Sequence, residues 1–362
     1  MLIEGVFAAV TTPFYPDERL YLRKLEANIE RYSRSLLAGM VVLGSTGEAP
    51  ALSDAESREV LRTASQAAAP DKVLIAGVGR ESVKSTLELA HAAAEFEYDA
   101  VLVRTPTYYA SQMTPQAVLA HFLSVADQSP LPVLLYNIPR CVPYNIPVEI
   151  VAELARHPNI IGIKDSSGDM ARLKALIELT RPAPRRTVTV TPIFEAVTAR
   201  MLRAPAARRE ENAPAFVSLG ELKTPGAAPG LAVGLSHEMP AAPIKTRTRE
   251  VGFQVLTGSA AIVLDSLQSG ASGAILGLAA CVPQACYEVY FAWKERDQPL
   301  AAEKQRRLLD ANRRVVGELG ISGVKYACDF NGFYGGKARL PLIPLAAEQR
   351  HEIEQILREI RN

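Results

Sequence analysis

Eight short apolar runs alternate with longer stretches of helical periodicity, and few architectures accommodate that order. The runs span residues 5–11, 40–44, 73–76, 100–104, 132–137, 160–164, 253–258 and 273–276. Several are apolar on consecutive residues, as parallel strands buried on both faces are. Amphipathic spacing fills 22–37, 54–68, 83–96, 115–127, 148–156 and 170–179. Ser53-Asp54-Ala55-Glu56 reads as a capping box, and Thr114-Pro115 as an N-cap followed by proline in the first turn. Strand and helix repeated eight times predict an α/β fold, a (β/α)8 TIM barrel. An open doubly wound sheet is the alternative, because periodicity does not report closure.

Three more helical segments follow the eighth run, at 283–295, 300–319 and 346–360. The first completes the barrel, and the others form a C-terminal helical extension. One region breaks the pattern: residues 183–250 contain eight of the chain's 25 prolines and no Tyr or Asp. Proline removes a backbone donor, so this Pro/Arg/Ala-rich stretch reads as a poorly ordered insertion between helix six and strand seven. A partner-binding segment is the alternative. The expected division is 1–182 for the first six strands, 183–250 for the insertion, 251–296 for the last two strands and 297–362 for the extension. A connection from helix to strand lies on the barrel face opposite catalysis.

A net charge of +1 gives no reason to expect nucleic acid or an anionic membrane as partner, and no apolar stretch is long enough to span a bilayer. Met1-Leu2-Ile3-Glu4-Gly5 lacks signal-peptide character, and four cysteines in 362 residues do not suggest a disulfide framework, so a reducing cytoplasm is expected. The histidines (91, 121, 157, 237 and 351) are scattered, and Cys281-x₄-Cys286 lacks a second ligand pair. Gly77-Val78-Gly79 begins a dinucleotide fingerprint without completing it. Neither metal nor organic cofactor is expected.

The chemistry gathers at strand ends. Lys164 closes the run Ile160-Ile161-Gly162-Ile163, where desolvation would favour the neutral amine that a Schiff-base enzyme needs. Tyr136 ends the fifth run, Tyr108 and Tyr109 follow the fourth, Gly258 closes the seventh, and Ser45-Thr46-Gly47-Glu48 follows the second. In a barrel these positions meet at one mouth. An amine can form an imine with a keto acid, a phenol can move the protons, and glycines at 44 and 47 let backbone N–H groups approach a carboxylate.

Five segments then carry a resemblance in order along the chain: Ala9-Val10-Thr11-Thr12-Pro13-Phe14, Gly44–Glu48, Thr105-Pro106-Thr107-Tyr108-Tyr109, Tyr136-Asn137-Ile138-Pro139 and Gly162-Ile163-Lys164-Asp165. They resemble the dihydrodipicolinate synthase/N-acetylneuraminate lyase superfamily of class I, pyruvate-dependent aldolases. The resemblance implies a homotetramer or homodimer acting on pyruvate and an aldehyde. It implies Lys164 as the Schiff-base lysine, Tyr136 as proton shuttle, and Ser45, Thr46 and Gly47 as the carboxylate-holding, proton-relaying turn. Tyr108 would reach a neighbouring subunit, and Gly258 and Ile275 would line the imine pocket. Several segments, including His157-Pro158-Asn159 and Gly332-Phe333-Tyr334-Gly335-Gly336, look closer to 4-hydroxy-2-oxoglutarate aldolase, with Ser166 helping to hold a second carboxylate. Dihydrodipicolinate synthases usually carry an arginine two residues after the proline of Tyr-Asn-x-Pro. Here that residue is Cys141, and Arg140 stands one position early. The expected reaction is therefore reversible formation of 4-hydroxy-2-oxoglutarate from pyruvate and glyoxylate. Condensation of pyruvate with aspartate semialdehyde is the alternative, and an inert keto-acid-binding barrel is the alternative of another class.

Overall fold

The computed structural model describes residues 1–202 and 244–360. Its strands are β1 (Gly5–Ala9), β2 (Gly39–Val42), β3 (Val73–Gly77), β4 (Ala100–Arg104), β5 (Val133–Asn137) and β6 (Ile160–Asp165), then β7 (Arg186–Val190), β8 (Arg247–Val251), β9 (Gln254–Thr257) and β10 (Gly273–Leu276). Eight of them close a parallel barrel in the order β1-β10-β9-β6-β5-β4-β3-β2. Side chains alternate across the wall, as strand geometry requires. Phe7, Val41, Ile75, Leu102, Leu134 and Leu256 fill the interior, while Val6, Met40, Val42, Leu74 and Val101 pack outward under the helices.

The covering helices are α1 (Leu22–Ser33), α2 (Asp54–Ala67), α3 (Val83–Glu95), α4 (Pro115–Gln128), α5 (Val148–Leu154) and α6 (Met170–Thr180), then a single turn α7 (Ala199–Leu202), α8 (Val263–Gln268) and α9 (Pro283–Lys294). Both anticipated caps form. Ser53 Oγ accepts from Glu56 N while Ser53 N donates to the Glu56 carboxylate, and Thr114 Oγ1 accepts from Ala117 N.

The flanks of the 183–250 segment are not loop. The strands β7 and β8 pair antiparallel from Arg186 opposite Val251 to Val190 opposite Arg247. Val188 and Val190 turn inward with Leu2 and Val251, whereas Thr187 and Thr189 face out. This Arg-Thr-Val-Thr-Val alternation has period two, a signal outweighed by the surrounding prolines. Beyond the ribbon, Arg200 donates to Glu97 O and pairs with Asp99 at 3.5 Å, tying the segment beneath the barrel. The rest of the expected insertion, 203–243 with His237 and Arg208-Arg209, lies outside the described residues.

The extension also differs from expectation. The sequence pattern predicts one helix over 300–319, but α10 (Gln298–Ala311) widens into a π-helical stretch over Asn312–Glu318. Then follow α11 (Gly320–Phe330), which has no counterpart in the sequence expectation, and α12 (Ala347–Ile360). Gly320 and Gly323 hide α11 by looking like breakers. In fact Gly323 serves close packing, since a Cβ there would stand 2.5 Å from the Val315 carbonyl oxygen.

Candidate active site

The register places three polar residues on one rung. Arg104 of β4 pairs with Tyr136 of β5, and Tyr136 pairs with Lys164 of β6. Arg104 and Tyr136 continue the inward-facing series Ala100, Leu102 and Leu134. Lys164 is only 3% exposed and Tyr136 6%. The amine donates to the phenol oxygen at 3.3 Å, with Nζ 4.3 Å from the ring centroid.

What fixes the lysine is its neighbour. The Asp165 carboxylate, itself buried, accepts from Arg172 Nε and Asn137 Nδ2, each at 2.8 Å, and from Ser167 N at 3.0 Å. Asn137 Oδ1 in turn accepts from Ile146 N at 3.0 Å. These bonds pin the ends of β5 and β6 together, which holds the amine against the phenol.

The turn after β2 approaches from the other side. Ser45 Oγ and Tyr136 Oη lie 3.4 Å apart. Gly47 N bonds back to Gly44 O and the Gly47 carbonyl accepts from Thr12 Oγ1, so the turn is closed. The N–H groups of Ser45 and Thr46 open its single 3-10 turn, where helical geometry supplies no partner. Thr46 packs its hydroxyl over Gly277, where a Cβ would sit 3.2 Å from Oγ1. Thus Ser45, rather than Thr46, meets the phenol here. Glu48 ends the motif with φ +55 and is buried against Lys325 of α11, Nζ to Oε1 2.5 Å.

The other expected residues are distributed as follows. Ser166 lies against Gly258, whose N–H donates to Asp165 O; any Cβ at 258 would overlap Ser166 Oγ at 1.9 Å. Ile275 joins Tyr136 in the interior cluster. Tyr108 is 81% exposed and set edge-on against Tyr109. Arg140 donates to Gly317 O in the π-helical stretch.

A cavity of about 510 Å³ opens beside Tyr136, lined among others by Ser45, Arg80, Arg104, Thr107 and Cys141. Lys164 sits behind the phenol, outside that lining. Glu81 carries the cavity's far wall, accepting from Arg104 Nη2 at 2.9 Å, Thr107 N at 2.8 Å and Tyr108 N at 2.9 Å. Burial pushes its carboxyl up, but the N–H groups of Tyr108 and Thr107 and the Arg104 guanidinium outweigh this and bring it down to about 2. Arg104 and Glu81 were not read from the sequence. The signal for Arg104 is the one that found Lys164, a charge closing an apolar run.

Such an arrangement can hold a keto acid by its carboxylate, add an amine to its carbonyl and relay protons through a phenol. The dihydrodipicolinate synthetase family model matches residues 2–186 and 238–360. A 4-hydroxy-tetrahydrodipicolinate synthase of Natronomonas pharaonis is 28% identical over 356 residues, covering 98% of this chain and 97% of its own. The fold resembles the crystal structure of a dihydrodipicolinate synthase from Bacillus anthracis, with TM-score 0.77, 21% identity and all of both chains covered. It also resembles an E. coli prophage protein of the dihydrodipicolinic acid synthase family crystallised with pyruvate, with TM-score 0.76, 21% identity and 99% of both chains covered. The chain belongs to the dihydrodipicolinate synthetase family, and it is a carbon–carbon lyase of that family.

Proposed function

We propose that this chain condenses pyruvate with aspartate semialdehyde, the reaction of a 4-hydroxy-tetrahydrodipicolinate synthase, through an imine on Lys164. The observation that carries the reading is the buried contact of the Lys164 amine with the Tyr136 phenol at the barrel mouth, 3.3 Å. Lys164 Nζ adds to the keto carbon of pyruvate, and loss of water leaves the imine. Departure of a methyl proton gives an enamine, whose carbon bonds to the aldehyde carbon while the aldehyde oxygen takes a proton. The semialdehyde's own amino group then displaces the lysine and closes the ring, so one water is released overall. The protonated imine is the electron sink, which is why a metal or organic cofactor is not needed.

Tyr136 carries the protons, and Ser45, 3.4 Å from it, orients and relays. The Ser45–Gly47 turn holds the pyruvate carboxylate, with Thr46 fixing the turn against Gly277. Gly258 and Ile275 form the wall of the imine pocket. The exposed Tyr108 supports a homo-oligomer in which a second copy takes up this ring.

The name borne by the full-length relatives supports the synthase over the 4-hydroxy-2-oxoglutarate aldolase expected first from sequence. So does a cavity with room for a four-carbon partner and with charges of both signs on its wall, suited to a zwitterion. The aldolase is retained as a second reading because Arg140 is turned to Gly317 and Ser166 stands beside Gly258.

Borohydride reduction in the presence of pyruvate tests the imine: the adduct is expected on Lys164, and Lys164→Ala should lose both adduct and turnover. Turnover retained in that variant refutes the mechanism, and no adduct in the native chain favours an inert barrel. Side-by-side assays with aspartate semialdehyde and glyoxylate then decide between the two readings.

A further inference from the structure

We propose that Arg104 receives the carboxylate of the aldehyde partner, taking the place of the arginine that the Tyr136-Asn137-Ile138-Pro139 turn does not supply. The inference deepens the function proposed above and rests on it.

Position is the first argument. Arg104 shares a rung with Tyr136 and Lys164, on the side of the phenol opposite the amine. It lines the cavity together with Tyr136, so an aldehyde held there would stand on the other side of the phenol from an enamine formed on Lys164. The side chain is only 18% exposed, in a setting where a charge-assisted hydrogen bond is stronger than in water.

Its stem is also fixed in advance. Gly79 leaves the space for it, since a Cβ there would stand 2.7 Å from Arg104 Cγ. Glu81 Oε1 accepts from Nη2 at 2.9 Å, and Thr105 O from Nη1 at 3.0 Å. Glu81 is meanwhile held by the N–H groups of Thr107 and Tyr108, so the guanidinium rests on a fixed support. A guanidinium offers five N–H donors, and among the described residues two of its nitrogens donate to these acceptors.

The neighbouring cations are otherwise engaged. Arg80 donates to Asp54, Ser57 and the Gly79 carbonyl. Arg140 is directed at Gly317 O in the extension. Of the arginines near the mouth, Arg104 alone combines an inward strand position with donors to spare among the described contacts.

The test compares aspartate semialdehyde with 3-aminopropanal, which lacks only the carboxylate, following pyruvate consumption by the full-length chain. Arg104→Met keeps the stem and removes the charge. It should lower kcat/KM for aspartate semialdehyde about 10–100-fold, the loss expected of a charge-assisted hydrogen bond, and leave 3-aminopropanal essentially unchanged. Pyruvate trapping on Lys164 should persist. Arg104→Lys should recover part of the loss, and it carries the same comparison if the Met variant does not fold. Equal losses on both aldehydes, or no loss on either, overturn the proposal while leaving the imine mechanism intact. Failure of the native chain to trap pyruvate sinks the underlying reading instead.

Discussion

Two of the described lysines are almost fully buried, and their surroundings differ. Lys325, in the extension, is 0% exposed and meets the Glu48 carboxylate and the Lys337 carbonyl, the latter at 2.8 Å. Burial pushes its amine below the ordinary lysine range, with Glu48 opposing. Lys164, at the barrel mouth, makes no ion pair among the described residues and meets a phenol instead. A carboxylate favours the ammonium and fixes it in place, whereas a phenol can exchange protons with its neighbour. The first lysine anchors the extension to the Ser45–Glu48 turn, and the second is left chemically available.

Three experiments test that contrast. Tyr136→Phe keeps the ring beside Lys164 and removes the proton carrier, so kcat should fall about 10²–10⁴-fold with unfolding unchanged. A near-native kcat would break the contrast at the mouth. Lys325→Met leaves Glu48 buried without its partner and should cost roughly 3–5 kcal/mol in urea unfolding. Pyruvate trapping on Lys164 should survive under native conditions; a change below about 1 kcal/mol would show that the pair is not an anchor.

The smallest effect concerns the outer neighbour of that anchor. Arg339 and Lys325 lie over the Phe14 ring, each 4.3 Å from its centroid, and Arg339 pairs with Glu56. The Arg339 hydrogen bond holds the Glu56 carboxyl down at about 2, from an ordinary 4.5. Because the folded value is the lower one, this contribution is complete above about pH 4.5 and is lost as pH falls towards 2. Glu56→Gln should flatten that part of the acid-stability curve. An identical slope in both proteins would remove Glu56 from the anchor.

The barrel was legible because its code is local: apolar runs of strand length, caps at Ser53 and Thr114, and turn residues at fixed positions. Lys164 stood out because a charge closed an apolar run inside a recognisable motif. Arg104 closes its run in the same way, but only the β4–β5 register reveals that it shares a rung with Tyr136. Glu48 and Lys325 are 277 residues apart, and their meeting depends on how the extension docks. The ribbon was hidden for another reason, since its two arms are separated by a proline-rich segment and neither can pair alone.

That ribbon has a practical corollary. Its second arm ends at Val251 and β9 begins at Gln254, so the chain re-enters the barrel almost where the clasp closes. A polypeptide severed between residues 202 and 244 would yield halves sharing the β6–β9, β1–β10 and β7–β8 seams. Complementary expression of two such pieces offers a route to a lyase reconstituted on demand.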